Sequence, residues 1–134
     1  MIRIAKQISV FLENRPGLMA RITGILAEGQ MNISALSVHD TVDHAVVRLV
    51  VDQHIKAVLL LERQGLYITE NDVAVVDLFN RPGALTHVAR ALAHADINIQ
   101  YAYCTATDGQ GQGSLVLKTD NIERTLDVLS KLEW

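Results

Sequence analysis

Between Ile2 and Leu12 the even positions read Ile2, Ile4, Lys6, Ile8, Val10 and Leu12, an apolar alternation with one polar break. A period of two places one face of an extended chain in a core, so this segment is predicted to be a strand. From Leu18 the period lengthens. Leu18, Ile22, Ile25 and Leu26 share one face of a helix, Arg21 and Glu28 lie on the other, and Pro16 suits the first turn. Asn32 to Thr41 and Ala45 to Val51 read as two strands joined by a turn at Asp43-His44. A second helix carries Ile55, Val58 and Leu59 and closes at Gly65. Leu66 to Thr69 is then a short strand, followed by a turn at Glu70-Asn71-Asp72.

The pattern now starts again. Strand Val73 to Phe79, helix Gly83 to Ala95, strands Ile97 to Thr107 and Ser114 to Lys118, and helix Asn121 to Leu132 follow in the same order. Asn14-Arg15-Pro16-Gly17 recurs as Asn80-Arg81-Pro82-Gly83, and the offset of sixty-six residues also matches Leu12/Leu78, Leu26/Leu92, Ala27/Ala93, Asn32/Asn98 and Ile33/Ile99. A repeat of that length is a small domain written twice. Each copy reads strand-helix-strand-strand-helix-strand. The fold class is therefore α+β, with two ferredoxin-like βαββαβ units, at residues 1–70 and 71–134, whose antiparallel sheets carry their helices on one face. The second copy stops at Trp134 without its last strand. Met1 to Ala5 align at the same offset with Tyr67 to Asn71, the last strand of the first copy. Two readings stand: this segment fills the vacant sheet edge, in its own chain or a partner's, or it lengthens the first strand.

Composition narrows the functional classes. The chain is 49% hydrophobic but only 4% aromatic, so the core is built from Ile, Val, Leu and Ala. Units of about 66 residues have marginal cores, which predicts that they pack together or dimerise. A net charge of -3 offers no basic field for nucleic acid. Cys104 is a lone cysteine, and the N-terminus lacks the apolar core of a signal peptide, so the expected location is cytoplasmic. The longest apolar run, Ala57 to Leu61, is far short of a membrane span. His39, His44, His87 and His94 do not cluster with cysteines as zinc requires, and no motif places a base beside Cys104. Neither metal, cofactor nor catalysis is expected. The glycine-rich stretch Asp108 to Gly113 lies between strands and reads as a hairpin, because a phosphate loop must open a helix. Tyr101 and Tyr103 share a strand face, as core packing, a ligand floor or an interface.

A strand ending in Asn-Arg-Pro-Gly, an amphipathic helix, and Asn-Ile opening the next strand resemble the ACT domain, the amino-acid-sensing module of biosynthetic enzymes. Both copies match, so the resemblance covers essentially the whole chain and implies a stand-alone, non-catalytic tandem ACT protein. It further implies an effector site between paired units, where the loop after the first strand meets the start of the second strand. In this chain those positions are Asn14, Arg15, Pro16, Gly17, Leu18, Asn32 and Ile33 in one copy, and Asn80, Arg81, Pro82, Gly83, Ala84, Asn98 and Ile99 in the other. An Asn amide offers an acceptor and two donors to an amino acid's charged ends, and glycine lets the backbone approach. The same asparagines also serve simply as turn residues. Serine-sensing members often carry a His two residues before the motif Asn, where this chain has Leu12 and Leu78, which leaves apolar or aromatic amino acids open. The expected partners are an amino-acid ligand, a second copy in a homodimer and a regulated enzyme. The alternative is a ligand-free interaction or scaffold module acting through dimerisation.

Overall fold

A computed structural model describes residues 1–13, 15–42, 44–105 and 111–134. The elements are β1 (Ile2–Leu12), α1 (Leu18–Glu28), β2 (Ile33–Asp40), β3 (Ala45–Val51), α2 (His54–Arg63), β4 (Tyr67–Phe79), α3 (Ala84–His94), β5 (Ile99–Thr105), β6 (Gln112–Thr119) and α4 (Ile122–Ser130). They form two compact units, and the division is not linear. Lys6–Asn71 is one unit, while Met1–Ala5 joins Asp72–Trp134 in the other. A boundary at 70/71 thus assigns the first five residues to the wrong unit. The Asp77 N–H donates to the Met1 carbonyl at 2.9 Å, so the open edge beside β4 is satisfied by the start of β1.

In the unit Lys6–Asn71 the strands run in the order β2-β3-β1-β4, and β3 is antiparallel to both β1 and β2. Ile8, Val10 and Leu12 lie opposite Leu49, Val47 and Ala45. With Leu18, Ile22 and Leu26 of α1 and Ala57 and Leu61 of α2 they close an aliphatic core. The alternation in β1 predicts one buried face, but Gln7 and Ser9 on the other face are also buried. The apolar residues that mark α2 in the sequence are not those it buries. Ile55 and Leu59 are exposed, and the helix buries Ala57 and Leu61 instead. Ala57 to Leu61 is apolar on every side of the helix, so periodicity alone cannot choose the inward face.

In the other unit the order is β1-β4-β6-β5, with β6 antiparallel to β4 and β5. Ala74, Val76 and Leu78 pack with Leu115 and Leu117, under Val88 and Leu92 of α3 and Leu129 of α4, and Ile2 packs against this core. Asn121 caps α4 by accepting the Arg124 N–H at 3.0 Å. The turn expected at Glu70-Asn71-Asp72 is absent, because β4 runs unbroken through those residues. Its first residues belong to one unit and its later ones to the other, so the polar triplet marks a handover between units. Of the predicted β5–β6 hairpin, Ala106 to Gln110 lie outside the described residues, and Gln112 and Gly113 already belong to β6. Asp43 of the first hairpin turn also lies outside them.

Removing residues 1–5 is expected to abolish hydrogen-exchange protection at the Asp77 amide and loosen β4 and β6, while β2 and β3 stay protected. Equal loss in both units, or none, contradicts this division of β1.

Candidate functional site

The repeated tetrapeptide ends a strand and starts a helix by the same backbone device in both copies. Leu18 N–H bonds the Arg15 carbonyl at 3.3 Å, and Ala84 N–H bonds the Arg81 carbonyl at 3.2 Å. Gly17 has φ 91 and ψ -3, and Gly83 has φ 90 and ψ -11. Pro followed by a residue near +80°, 0° is the signature of a type II turn. Pro16 therefore precedes α1 instead of entering its first turn. The turn hands over to the helix at once: Gly17 accepts from the Arg21 N–H and Gly83 from the His87 N–H, each at 2.9 Å. No side chain caps either helix, which leaves first-turn N–H groups directed at whatever lies beyond the turn.

Each turn borders a cleft. The cleft at the first motif holds about 150 Å³ and is lined by Leu12, Glu13, Arg15, Pro16, Gly17, Leu18 and Arg21. The second holds about 450 Å³ and is lined by Leu78, Phe79, Arg81, Pro82, Gly83, Ala84 and His87, with Met1, Asp77, Gln112, Glu133 and Trp134 as additional walls. The Asp77 carboxylate accepts from the Ser114 hydroxyl at 3.3 Å. A His87 ring nitrogen lies 2.6 Å from the Glu133 carbonyl, and since a carbonyl only accepts, that nitrogen, Nε2, carries the proton. Trp134 meets the His87 ring edge-on, with centroids 5.8 Å apart. On the β5 side of the same turn a smaller cavity of about 100 Å³ is lined by Asn80, Arg81, Ala84, Leu85, Cys104, Thr105 and Ser114, among others.

The strand registers decide which expected site residues meet. Leu12 and Asp40 both lie opposite Ala45, whereas Ile33 lies opposite Val51, six residues further along β3. That separation is on the order of 20 Å at about 3.3 Å per residue. The second unit repeats it, with Leu78 opposite Gly113 and Ile99 opposite Thr119. Within a unit, then, the motif turn and the Asn-Ile pair occupy opposite ends of the sheet, and the turn meets the end of the second strand, not its start. Asn32 and Asn98 have a backbone role there. Asn32 N–H donates to Asp52 Oδ1 at 3.1 Å, and Asp52 N–H donates back to the Asn32 carbonyl at 3.2 Å. Asn98 and Asp120 repeat both bonds at 3.2 Å. Asn14 lies outside the described residues, and Asn80 is exposed, its N–H bonded to the Gly111 carbonyl at 3.0 Å.

Asp77, His87 and Trp134 are additions that motif matching does not reach. The signal for the first two is a mismatch within the repeat, since Asp77 aligns with Phe11 and His87 with Arg21. Among the described residues no group of His, Cys, Asp and Glu is placed to hold a metal ion, and no helix is long and apolar enough to cross a membrane.

A family model described as an ACT domain pair matches residues 3–134. Among solved structures, the Bacteroides thetaiotaomicron protein BT0572 is similar at 30% identity and a TM-score of 0.89, over 97% of this chain and 89% of that one. The ligand-free regulatory subunit of aspartate kinase from Thermus thermophilus shares 18% identity and a TM-score of 0.73, over 99% of this chain and 97% of that one. The corresponding Thermus flavus subunit shares 19% identity and a TM-score of 0.68, over 98% and 95%. No curated protein matches.

An alanine Cβ at Gly17 or Gly83 meets nothing within 4 Å, so the constraint there is conformational. Gly17→Ala and Gly83→Ala are each expected to cost about 1 kcal/mol in urea unfolding, the penalty for a side chain in left-handed backbone. Unchanged or raised stability contradicts the type II turn.

Proposed function

The chain belongs to the ACT domain pair family, and from that premise we propose that it is a non-catalytic regulatory module that binds an amino acid beside its Arg-Pro-Gly turns. The observation that carries this reading is the pairing of each type II turn with a cleft, one of which has the roughly 300–1,000 Å³ volume of small-molecule sites. An amino acid presents one anion and one cation. The second cleft offers both complements, with Arg81 at the turn and Asp77 on the neighbouring strand. The Thermus thermophilus neighbour is the regulatory subunit of an aspartate kinase. We carry over from it only the role of regulating an enzyme, with that enzyme's identity left open.

A homodimer fits the same reading. β2 and β5 are the outer strands of their units, so each presents an unpaired edge to a second copy. Val38 on β2, and Leu85, which lines a cavity with Cys104 and Thr105 of β5, are exposed. A ligand held where copies meet shifts an assembly equilibrium through its different affinity for the two states.

Calorimetry of the full chain against the twenty common amino acids is expected to show binding. An Arg15→Ala/Arg81→Ala variant should weaken that response while remaining dimeric by sedimentation. A wild-type chain that binds none of them at millimolar concentration, yet still dimerises, supports the scaffold alternative instead.

A further inference from the structure

The two clefts occupy one place in the repeat, yet they differ in volume, charge and walls. All seven residues lining the first have their sixty-six-residue counterparts lining the second. The first holds about 150 Å³ and the second about 450 Å³. Only the second lies in the range of small-molecule sites. We infer that the cleft at the second motif alone takes ligand, one molecule per chain, and that the ligand is an α-amino acid with a large apolar side chain. This inference rests on the amino-acid reading above.

The charges at the two turns support the choice. Arg15 faces Glu13 at 3.8 Å, an acid of its own copy. In the second copy Phe79 stands at the position of Glu13, and Arg81 makes no salt bridge among the described residues. Its guanidinium is therefore available to a carboxylate, for which its fork of donors is suited. Asp77 has no counterpart in the first cleft, since Phe11 stands at its position and meets Tyr67 at a tilted angle with ring centroids 5.5 Å apart. The Asp77 carboxylate receives the Ser114 hydroxyl and retains acceptor positions for an ammonium group. Between these charges the cleft is walled by Met1, Leu78, Phe79 and Trp134. An apolar or aromatic side chain gains there by leaving water.

The wall also explains why duplication left one seat larger. His87 bonds the Glu133 carbonyl and brings Trp134 against its ring. Its counterpart Arg21 donates to the Gln64 carbonyl at 3.2 Å, and from there the first copy's chain turns into β4.

Calorimetry with L-leucine, L-methionine, L-phenylalanine, L-tryptophan, L-aspartate and L-lysine tests the inference. One apolar amino acid per chain is expected, with the two charged ones weaker by about tenfold or more. Asp77→Asn and Arg81→Ala should each weaken binding by about tenfold, the effect of losing one charged hydrogen bond. Two molecules per chain, a preference for aspartate or lysine, or undiminished affinity in both variants overturns the inference and leaves the amino-acid reading standing. No binding of any amino acid overturns both.

Discussion

A strand presents hydrogen-bonding groups along both edges, and in the unit containing Asp72–Trp134 one edge of β4 is met by a segment from elsewhere in the sequence. Met1–Ala5 is that segment. The consequence runs through the whole molecule, because β1 and β4 each divide their length between units. The second copy is completed by residues that belong, by sequence, to the first. It also makes the two copies inequivalent. Where the first copy continues from α2 through Gly65 into β4, the second ends beyond α4 at Trp134, and Met1 occupies the place aligned with Tyr67.

The functional asymmetry follows from this one arrangement. Both copies build the same type II turn, since proline followed by glycine is what a positive φ at the third turn position requires. The turn is local chemistry and duplicated faithfully. What surrounds it is not local. Met1 and Trp134 reach the second turn through the start of β1 and the end of α4, and with Asp77 they line a cleft that is larger than its counterpart in the first copy. A pair of identical motifs thus yields one roomy, charged seat and one small seat whose arginine faces an internal acid.

Much of the fold was legible because its signals are short in range. Alternation gave β1 its observed ends at Ile2 and Leu12, and the apolar run gave β3 from Ala45 to Val51. α4, read from the sequence as Asn121 to Leu132, spans Ile122–Ser130 with Asn121 as its cap. Failures came where a local signal is ambiguous or the deciding force is distant. Glu70-Asn71-Asp72 has turn composition but stays extended, because each half of β4 has strand neighbours to bond. In α2, Leu59 is as apolar as Leu61, and only packing against the sheet decides which is buried. The motif turns were found from four letters, whereas the placing of Asn32 and Asn98 at the far sheet end depends on strand register. Asp77 and Trp134 belong to no motif, and folding brings them to the cleft.

The central claim is that duplication produced two matching turns and one working seat. Backbone amide NMR of the full chain, titrated in turn with L-phenylalanine and L-leucine, tests it most directly. The account predicts saturable shifts at Asp77, Arg81 to His87 and the Trp134 indole N–H, with Arg15 to Arg21 unmoved. Comparable shifts at both turns, or shifts confined to the first, would contradict it.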